Sequence, residues 1–196
     1  MHKVLLVWEQ GGNLGHLARL LPIAQALRDR GAEVEFVLPA GDATRSHVEA
    51  AGFPWRAVPV RMHVPGDAPA INQAEVLLRC GFGLPAGQLH ALILEWRTIL
   101  EASEATAAVI DASPLALYAA RSLGLNAVAL GHGFELPTTT AARPCFAPWL
   151  PDAAPRAARS EERLAQSLDL LADTLGVPAA PRGLGELYPH DRTALC

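Results

Sequence analysis

Apolar residues fall along this chain in two rhythms. Val4 to Trp8 is a short unbroken apolar run that passes into Glu9-Gln10-Gly11-Gly12. A run of that length beside glycines predicts a buried parallel strand. After the turn Gly11–Gly15 the apolar positions are Leu17, Leu20, Leu21, Ala24 and Leu27, one face of a helix. Arg28-Asp29-Arg30 and then Gly31 supply its stop. Glu33 to Leu38, closed by Pro39, is a second strand and completes a βαβ unit. The alternation then repeats, with a short helix over 42–51 stopped by Gly52 and a third strand from Trp55 to Val60. A loop over 62–70 carries Pro65, Gly66 and Pro69, and residues 71–79 form a helical turn. A longer helix over 86–106 has Leu89, Leu92, Ile93, Trp96, Ile99 and Leu100 at helical spacing. Ala107 to Ile110 is a fourth strand, and Ser113-Pro114 starts a helix that runs to Leu123 and stops at Gly124. Ala127 to Leu130 is a fifth strand, residues 137–155 are Pro-rich and irregular, and 157–175 form one more amphipathic helix. Strand–helix alternation of this kind predicts an α/β fold: a Rossmann-like doubly wound parallel sheet in a single domain.

Composition narrows the classes. A 196-residue chain that is 51% hydrophobic is no disordered segment. The net charge of −4 comes with no basic stripe, so nucleic acid is not an expected partner. Cys80, Cys145 and Cys196 are far apart and show neither a CxxC pair nor a zinc spacing, which predicts a reduced, cytoplasmic location and no metal. No run of 18 apolar residues exists, so no transmembrane segment is expected. The apolar start is too short for a signal peptide and lacks a small-residue cleavage site.

In a doubly wound sheet, ligands bind beyond the carboxyl ends of the strands. Three turns occupy that edge: Gly11–His16, Asp111–Pro114 and Gly131–Pro137. The first is a poor dinucleotide fingerprint, because Gln10 stands where GxGxxG needs glycine and Leu38-Pro39-Ala40 replaces the expected acidic residue. Its glycines still permit close approach of a ligand to the backbone at a helix N-terminus. His16 follows that turn directly, where the helix N-terminus disfavours the imidazolium and leaves a neutral base. Asp111 is the residue type that holds the other ring nitrogen of such a base and stabilises the cation formed on proton abstraction. On residue types alone a second reading stands beside this one: His16 as a helix-start residue and Asp111 as a helix cap.

Gly11-Gly12-Asn13-Leu14-Gly15-His16-Leu17-Ala18-Arg19-Leu20-Leu21-Pro22-Ile23-Ala24, continued by Ala26-Leu27-Arg28-Asp29-Arg30-Gly31, resembles the first strand–helix unit of GT-B glycosyltransferases. Those include the macrolide glycosyltransferases, the UDP-glycosyltransferases and, more distantly, the transferase that adds N-acetylglucosamine to lipid I. The stretch from Val109-Ile110-Asp111 to Leu123-Gly124-Leu125 resembles a second landmark of that family, a strand-end Asp followed by a helix and a glycine. The resemblance covers nearly the whole chain and implies the N-terminal, acceptor-side domain, residues 1–196. It implies His16 as catalytic base and Asp111 as the residue that orients it. Gly12, Asn13, Gly15, His132, Gly133, Phe134 and Glu135 would then bind substrate at the same edge. It further implies an inverting transfer from a nucleotide-diphosphate sugar, a co-substrate with no other cofactor, to a small-molecule or lipid-linked acceptor.

The same resemblance implies a second, donor-binding domain for which 196 residues leave no room. Asp191 to Cys196 resembles the start of the family's late N-domain strand, interrupted midway. The chain is therefore expected to be an isolated piece, a truncated product or a subunit completed by a separate donor-domain chain. Alone it should transfer sugar at or near background. Two further readings are a nucleotide-sugar hydrolase or epimerase of the same fold and a non-catalytic binding subunit or fragment. An acceptor-sized pocket over residues 62–90 would favour the transferase. His132 reads equally as a pocket residue and as a loop stabiliser. His2, His47, His63, His90 and His190 show no ligand spacing. Arg19 lies opposite the apolar face of its helix and reads as a solvated arginine, while Trp96 and its stripe read first as core and second as a lipid-acceptor surface.

Overall fold

The computed structural model describes residues 2–10, 14–58, 69–133, 135–137 and 144–195. The strands are β1 Lys3–Val7, β2 Glu33–Pro39, β3 Trp55–Val58, β4 Ala107–Asp111, β5 Asn126–Gly131 and β6 Thr193–Leu195. They form one sheet in the order β3-β2-β1-β4-β5-β6 with every pairing parallel. The order reverses between β1 and β4, where Val4 pairs with Ala107 and Val7 with Ile110. This is the switch point of a doubly wound sheet. The stretch resembling a late strand does pair, Thr193 to Leu195 running beside Ala129 to Gly131.

Both faces of the sheet are covered, which is why the central strands read as unbroken apolar runs. Side chains alternate between the faces. Val4, Leu6, Trp8, Val34, Phe36 and Leu38 pack under helices α1 (Gly15–Asp29) and α2 (Asp42–Ala50). Leu5, Val7, Ala108, Ile110, Ala127 and Ala129 pack on the other face, under α3 (Gln73–Leu77), α4 (Ala86–Ala102), α5 (Pro114–Ser122), α6 (Ala153–Leu175) and the short α7 (Leu184–Leu187). Trp96 is buried in this second core, which makes its stripe a packing surface and not a lipid-facing one. Among the described residues no single helix is long and apolar enough to cross a membrane.

Three boundaries differ from expectation. The helix predicted over 86–106 ends at Ala102, because Glu104 turns the chain with φ 56 and Thr106 N already bonds Lys3 O at 2.9 Å, beginning the next strand. The helix predicted over 157–175 starts at Ala153, inside the Pro-rich stretch; Pro155 in its first turn is tolerated because that N–H needs no helical partner. The helix expected over 71–79 is the shorter α3, which passes into a wide turn, Leu78–Phe82, that kinks at Gly81. Gly81 has φ 131, and a Cβ there would meet Leu115 Cδ1 at 2.8 Å, so α5 approaches the backbone itself.

Asn72 fixes the start of α3. Its Oδ1 accepts from Glu75 N at 2.9 Å and from the Ser160 hydroxyl at 2.9 Å, while its Nδ2 donates to Ala157 O at 3.2 Å. The Glu75–Arg156 ion pair at 2.6 Å adds a second tie between α3 and α6. This brace sets the place of Gln73, a buried side chain whose Nε2 donates to Glu135 O at 3.2 Å. The loop after β5 is thereby anchored from the side of α3.

Candidate functional site

His16 is the second residue of α1, and Asp111 is the last of β4. By alternation Asp111 points to the same face as Val109, the face that carries Trp8 and α1. His16 Nδ1 lies 3.1 Å from Asp111 Oδ1. Asp111 is fully buried, and its Oδ2 has no hydrogen-bond partner among the described residues. Trp8, one residue beyond β1, stacks on the imidazole with ring centroids 5.1 Å apart and 24° between the planes. The ring is thus held by a bond at one nitrogen and by an indole face.

Arg19 does not behave as a solvated arginine. Its side chain keeps only 16% of its exposure and turns inward over the sheet edge. Nη2 donates to Asp111 Oδ1 at 2.9 Å, and Nη1 donates to Glu135 Oε2 at 3.0 Å. A helical projection places Arg19 away from the apolar stripe. However, the neighbouring surface there is the loop after β5, which the projection does not contain. Two carboxylates, Asp111 and Glu135, wait on that side.

Glu135 arrives there through a tight turn. His132 O accepts from Glu135 N at 2.9 Å and from Leu136 N at 3.1 Å, and Glu135 Oε2 in return accepts from His132 N at 2.7 Å. The carboxylate sits where a side chain on residue 131 would be: a Cβ on Gly131 would meet Glu135 Cβ at 3.0 Å and Oε2 at 3.1 Å. Burial pushes the Glu135 carboxyl up, but the bond from Arg19, the His132 N–H and the charges of Arg19 and His16 outweigh it and hold the group below its ordinary range. Glu135 Oε1 lies 3.9 Å from His16 Nε2. Four residues from three segments therefore meet: His16, Arg19, Asp111 and Glu135.

The remaining predicted site residues divide. Gly15 is the first residue of α1, beside His16. His132 and Gly133 are exposed at the tip of the loop that carries Glu135. Gly12, Asn13 and Phe134 lie outside the described residues, as do 62–68 of the expected acceptor region.

Sequence reasoning passed over Glu9. It follows β1 on the face opposite Asp111, and its carboxylate accepts from Leu115 N at 3.2 Å and Ala116 N at 3.0 Å. Its own N–H donates to Ser113 Oγ at 2.7 Å, and that hydroxyl donates to Asp111 O at 2.7 Å. Burial raises the Glu9 carboxyl to about 8 despite the two backbone donors. The turn between is tight enough that Ala112 adopts φ 44, a left-handed conformation that costs a non-glycine residue about 1 kcal/mol. Cys80 lies beside this corner, with Gln10 Nε2 at 2.7 Å from its sulfur; burial lifts the thiol to about 12, which leaves it no thiolate character. Among the described residues no three His, Cys, Asp or Glu side chains gather to hold a metal ion.

No protein-family model and no curated protein matches this sequence. Solved glycosyltransferase structures do match in fold. The spinosyn rhamnosyltransferase SpnG superposes with a TM-score of 0.55 at 18% identity, over 92% of this chain and 43% of its own. The glycosyltransferase VinC, solved in complex with dTDP, gives 0.52 at 15% identity over 98% of this chain and 48% of its own. SnogD from Streptomyces nogalater gives 0.51 at 17% identity over 100% of this chain and 44% of its own. The chain thus spans less than half the length of each, and its six-stranded parallel sheet shares the Rossmann-like fold of one half of these GT-B glycosyltransferases.

Proposed function

We propose that this chain is the acceptor-binding and acceptor-deprotonating half of an inverting, nucleotide-sugar-dependent glycosyltransferase. The observation that carries the reading is the His16 Nδ1–Asp111 Oδ1 contact of 3.1 Å at the switch-point edge of the sheet. With Nδ1–H donated to Asp111, the lone pair of Nε2 is free to take the proton of an acceptor hydroxyl. The acceptor oxygen attacks the anomeric carbon as its O–H bond breaks. The bond from that carbon to the nucleotide diphosphate breaks on the opposite side, which inverts the centre. The quartet carries a net charge of −1 when both carboxyls are ionised, and the proton taken by His16 brings it to zero. Stabilising the imidazolium with a fixed carboxylate is the general-base logic of the Ser-His-Asp systems, here without a nucleophilic serine.

Gly12, Asn13, Gly15, His132, Gly133, Phe134 and Glu135 are the proposed substrate contacts, and the donor diphosphate falls mainly to a second domain or a separate donor-domain chain. A small-molecule acceptor is favoured by the likeness to SpnG, which has been solved with thymidine diphosphate and with spinosyn aglycone. A lipid-linked acceptor and a cytoplasmic location belong to the same reading.

The test is transfer by the chain completed with a donor-binding domain, measured as acceptor-dependent release of the nucleotide diphosphate. His16→Ala should lower turnover by about 10²–10⁴-fold. It should lower turnover far more than it lowers folding stability. Asp111→Asn should lower turnover less, since it keeps a hydrogen bond and loses the charge. A completed protein as active with His16→Ala as without it defeats the proposal. So does micromolar nucleotide-sugar binding by the chain alone in calorimetry.

A further inference from the structure

Three polar atoms at the heart of the site form a triangle that cannot be fully bonded. Arg19 Nη2 is 2.9 Å from Asp111 Oδ1 and 2.6 Å from His16 Nδ1, and Nδ1 is 3.1 Å from the same Oδ1. The guanidinium only donates, the carboxylate only accepts, and a neutral imidazole nitrogen does one or the other. If Nδ1 carries the proton, it donates to Asp111, and its contact with Nη2 sets two donors against each other. If Nδ1 is bare, it accepts from Arg19, and its contact with Oδ1 sets two lone pairs against each other. The first tautomer leaves Nε2 able to accept a proton. The second places the proton on Nε2 and takes that ability away.

We infer that Arg19 and Asp111 compete for His16 Nδ1 and that Glu135 decides the contest, so that the Arg19–Glu135 pair sets the tautomer of His16. Nη2 has two hydrogens, and among the described residues three acceptors stand within their reach: Asp111 Oδ1, His16 Nδ1, and Glu135 Oε1 at 3.4 Å. A hydrogen drawn to Glu135 is withheld from Nδ1. The Nη1–Glu135 Oε2 bond of 3.0 Å pulls the guanidinium the same way, and the His132 N–H and the close packing over Gly131 hold the carboxylate in place. Glu135 thus keeps His16 in the Nδ1–H form. Arg19 and Glu135 are positioning residues in this account. They sit on α1 and on the loop after β5. That the Nδ1–H form is the working one rests on the function proposed above; the competition itself does not.

Two-bond ¹H–¹⁵N correlation spectra of the uniformly labelled chain read the tautomer directly, because protonated and bare ring nitrogens resonate far apart. His16 is identified among the seven histidines as the signal lost in His16→Gln. At pH 8 the unsubstituted chain should show His16 mainly protonated at Nδ1. Glu135→Gln, which keeps the shape but weakens the hold on the guanidinium, should shift most of the population to the Nε2–H form. Arg19→Met should shift it the other way, to Nδ1–H alone. The inference fails if Glu135→Gln leaves Nδ1 as protonated as before, or if Arg19→Met moves the proton towards Nε2. Should Arg19→Met not fold, Glu135→Gln decides alone. Opposite tautomer shifts together with a fully active His16→Ala in the completed protein would uphold the competition and defeat only the proposed function.

Discussion

Glu9 and Asp111 occupy equivalent places and do opposite work. Each lies at the carboxyl end of one of the two neighbouring strands that flank the switch point, β1 and β4. Each reaches across to the helix that follows the other's strand. Glu9 crosses to α5 and spends its two oxygens on the N–H groups of Leu115 and Ala116. Asp111 crosses to α1 and meets the side chains of His16 and Arg19. The exchange interlocks the two halves of the sheet, and the shared Ser113 hydroxyl ties the corners together. The difference lies in the partners. Backbone donors at a helix start are fixed and fully used, so Glu9 is structural. Side-chain donors can move, titrate or change tautomer, so Asp111 can take part in chemistry.

The comparison breaks first at Glu9. Glu9→Ala leaves two buried N–H groups without an acceptor and should destabilise the fold by about 3 kcal/mol. Urea unfolding measures it, and a loss below about 1 kcal/mol would remove the structural role. Asp111→Ala should cost less, about 2 kcal/mol. Breaking a buried ion pair commonly costs more, but Arg19 retains Glu135 here. A larger loss than that of Glu9→Ala would reverse the assignment of roles.

The titration of Glu9 sharpens the contrast. Its folded-state value of about 8 stands above the ordinary 4.5, so the native state binds the extra proton between those limits. Stability is then fully present below about pH 4.5 and is lost as the pH rises through about 8. The slope in that window is at most about 1.4 kcal/mol per pH unit. Glu9→Gln cannot ionise and should flatten that part of the stability–pH curve; an unchanged slope would show that Glu9 is not its source. Gly131→Ala should have the smallest effect, about 1 kcal/mol, since the Glu135 and Leu136 side chains need shift by only a few tenths of an ångström. A structure of Gly131→Ala with Arg19 still bonded to Glu135 would show that the turn does not control the pair.

What the sequence disclosed follows from the range of the forces involved. Val4 to Trp8 and the stripe Leu17, Leu20, Ala24 declare their elements because burial acts on every residue of a strand or helix face. The meeting of His16 and Asp111 was legible because one opens the helix after β1 and the other ends β4, strands whose place at the switch point is topological. Glu9 was not, since its partners are backbone groups 106 and 107 residues away and carry no side-chain signature. Arg19 misled for a related reason. Its polar position on α1 faces Glu135, 116 residues distant, and helical periodicity describes a helix facing water. The kink at Gly81 was equally silent, because it is a fit to Leu115 and not a local preference.

The indole lying against His16 gives the site an optical handle. Trp8 and Trp96 are buried, whereas Trp149 is largely exposed, so the buried pair emits to the blue of Trp149, and Trp96→Phe leaves Trp8 as the main source of that blue edge. An imidazolium quenches an excited indole by accepting an electron, and a neutral imidazole does so poorly. With the ring centroids 5.1 Å apart, each protonation of His16 is written into the blue edge of the emission spectrum. The proton balance of this corner can therefore be followed by light, without a label and without a substrate.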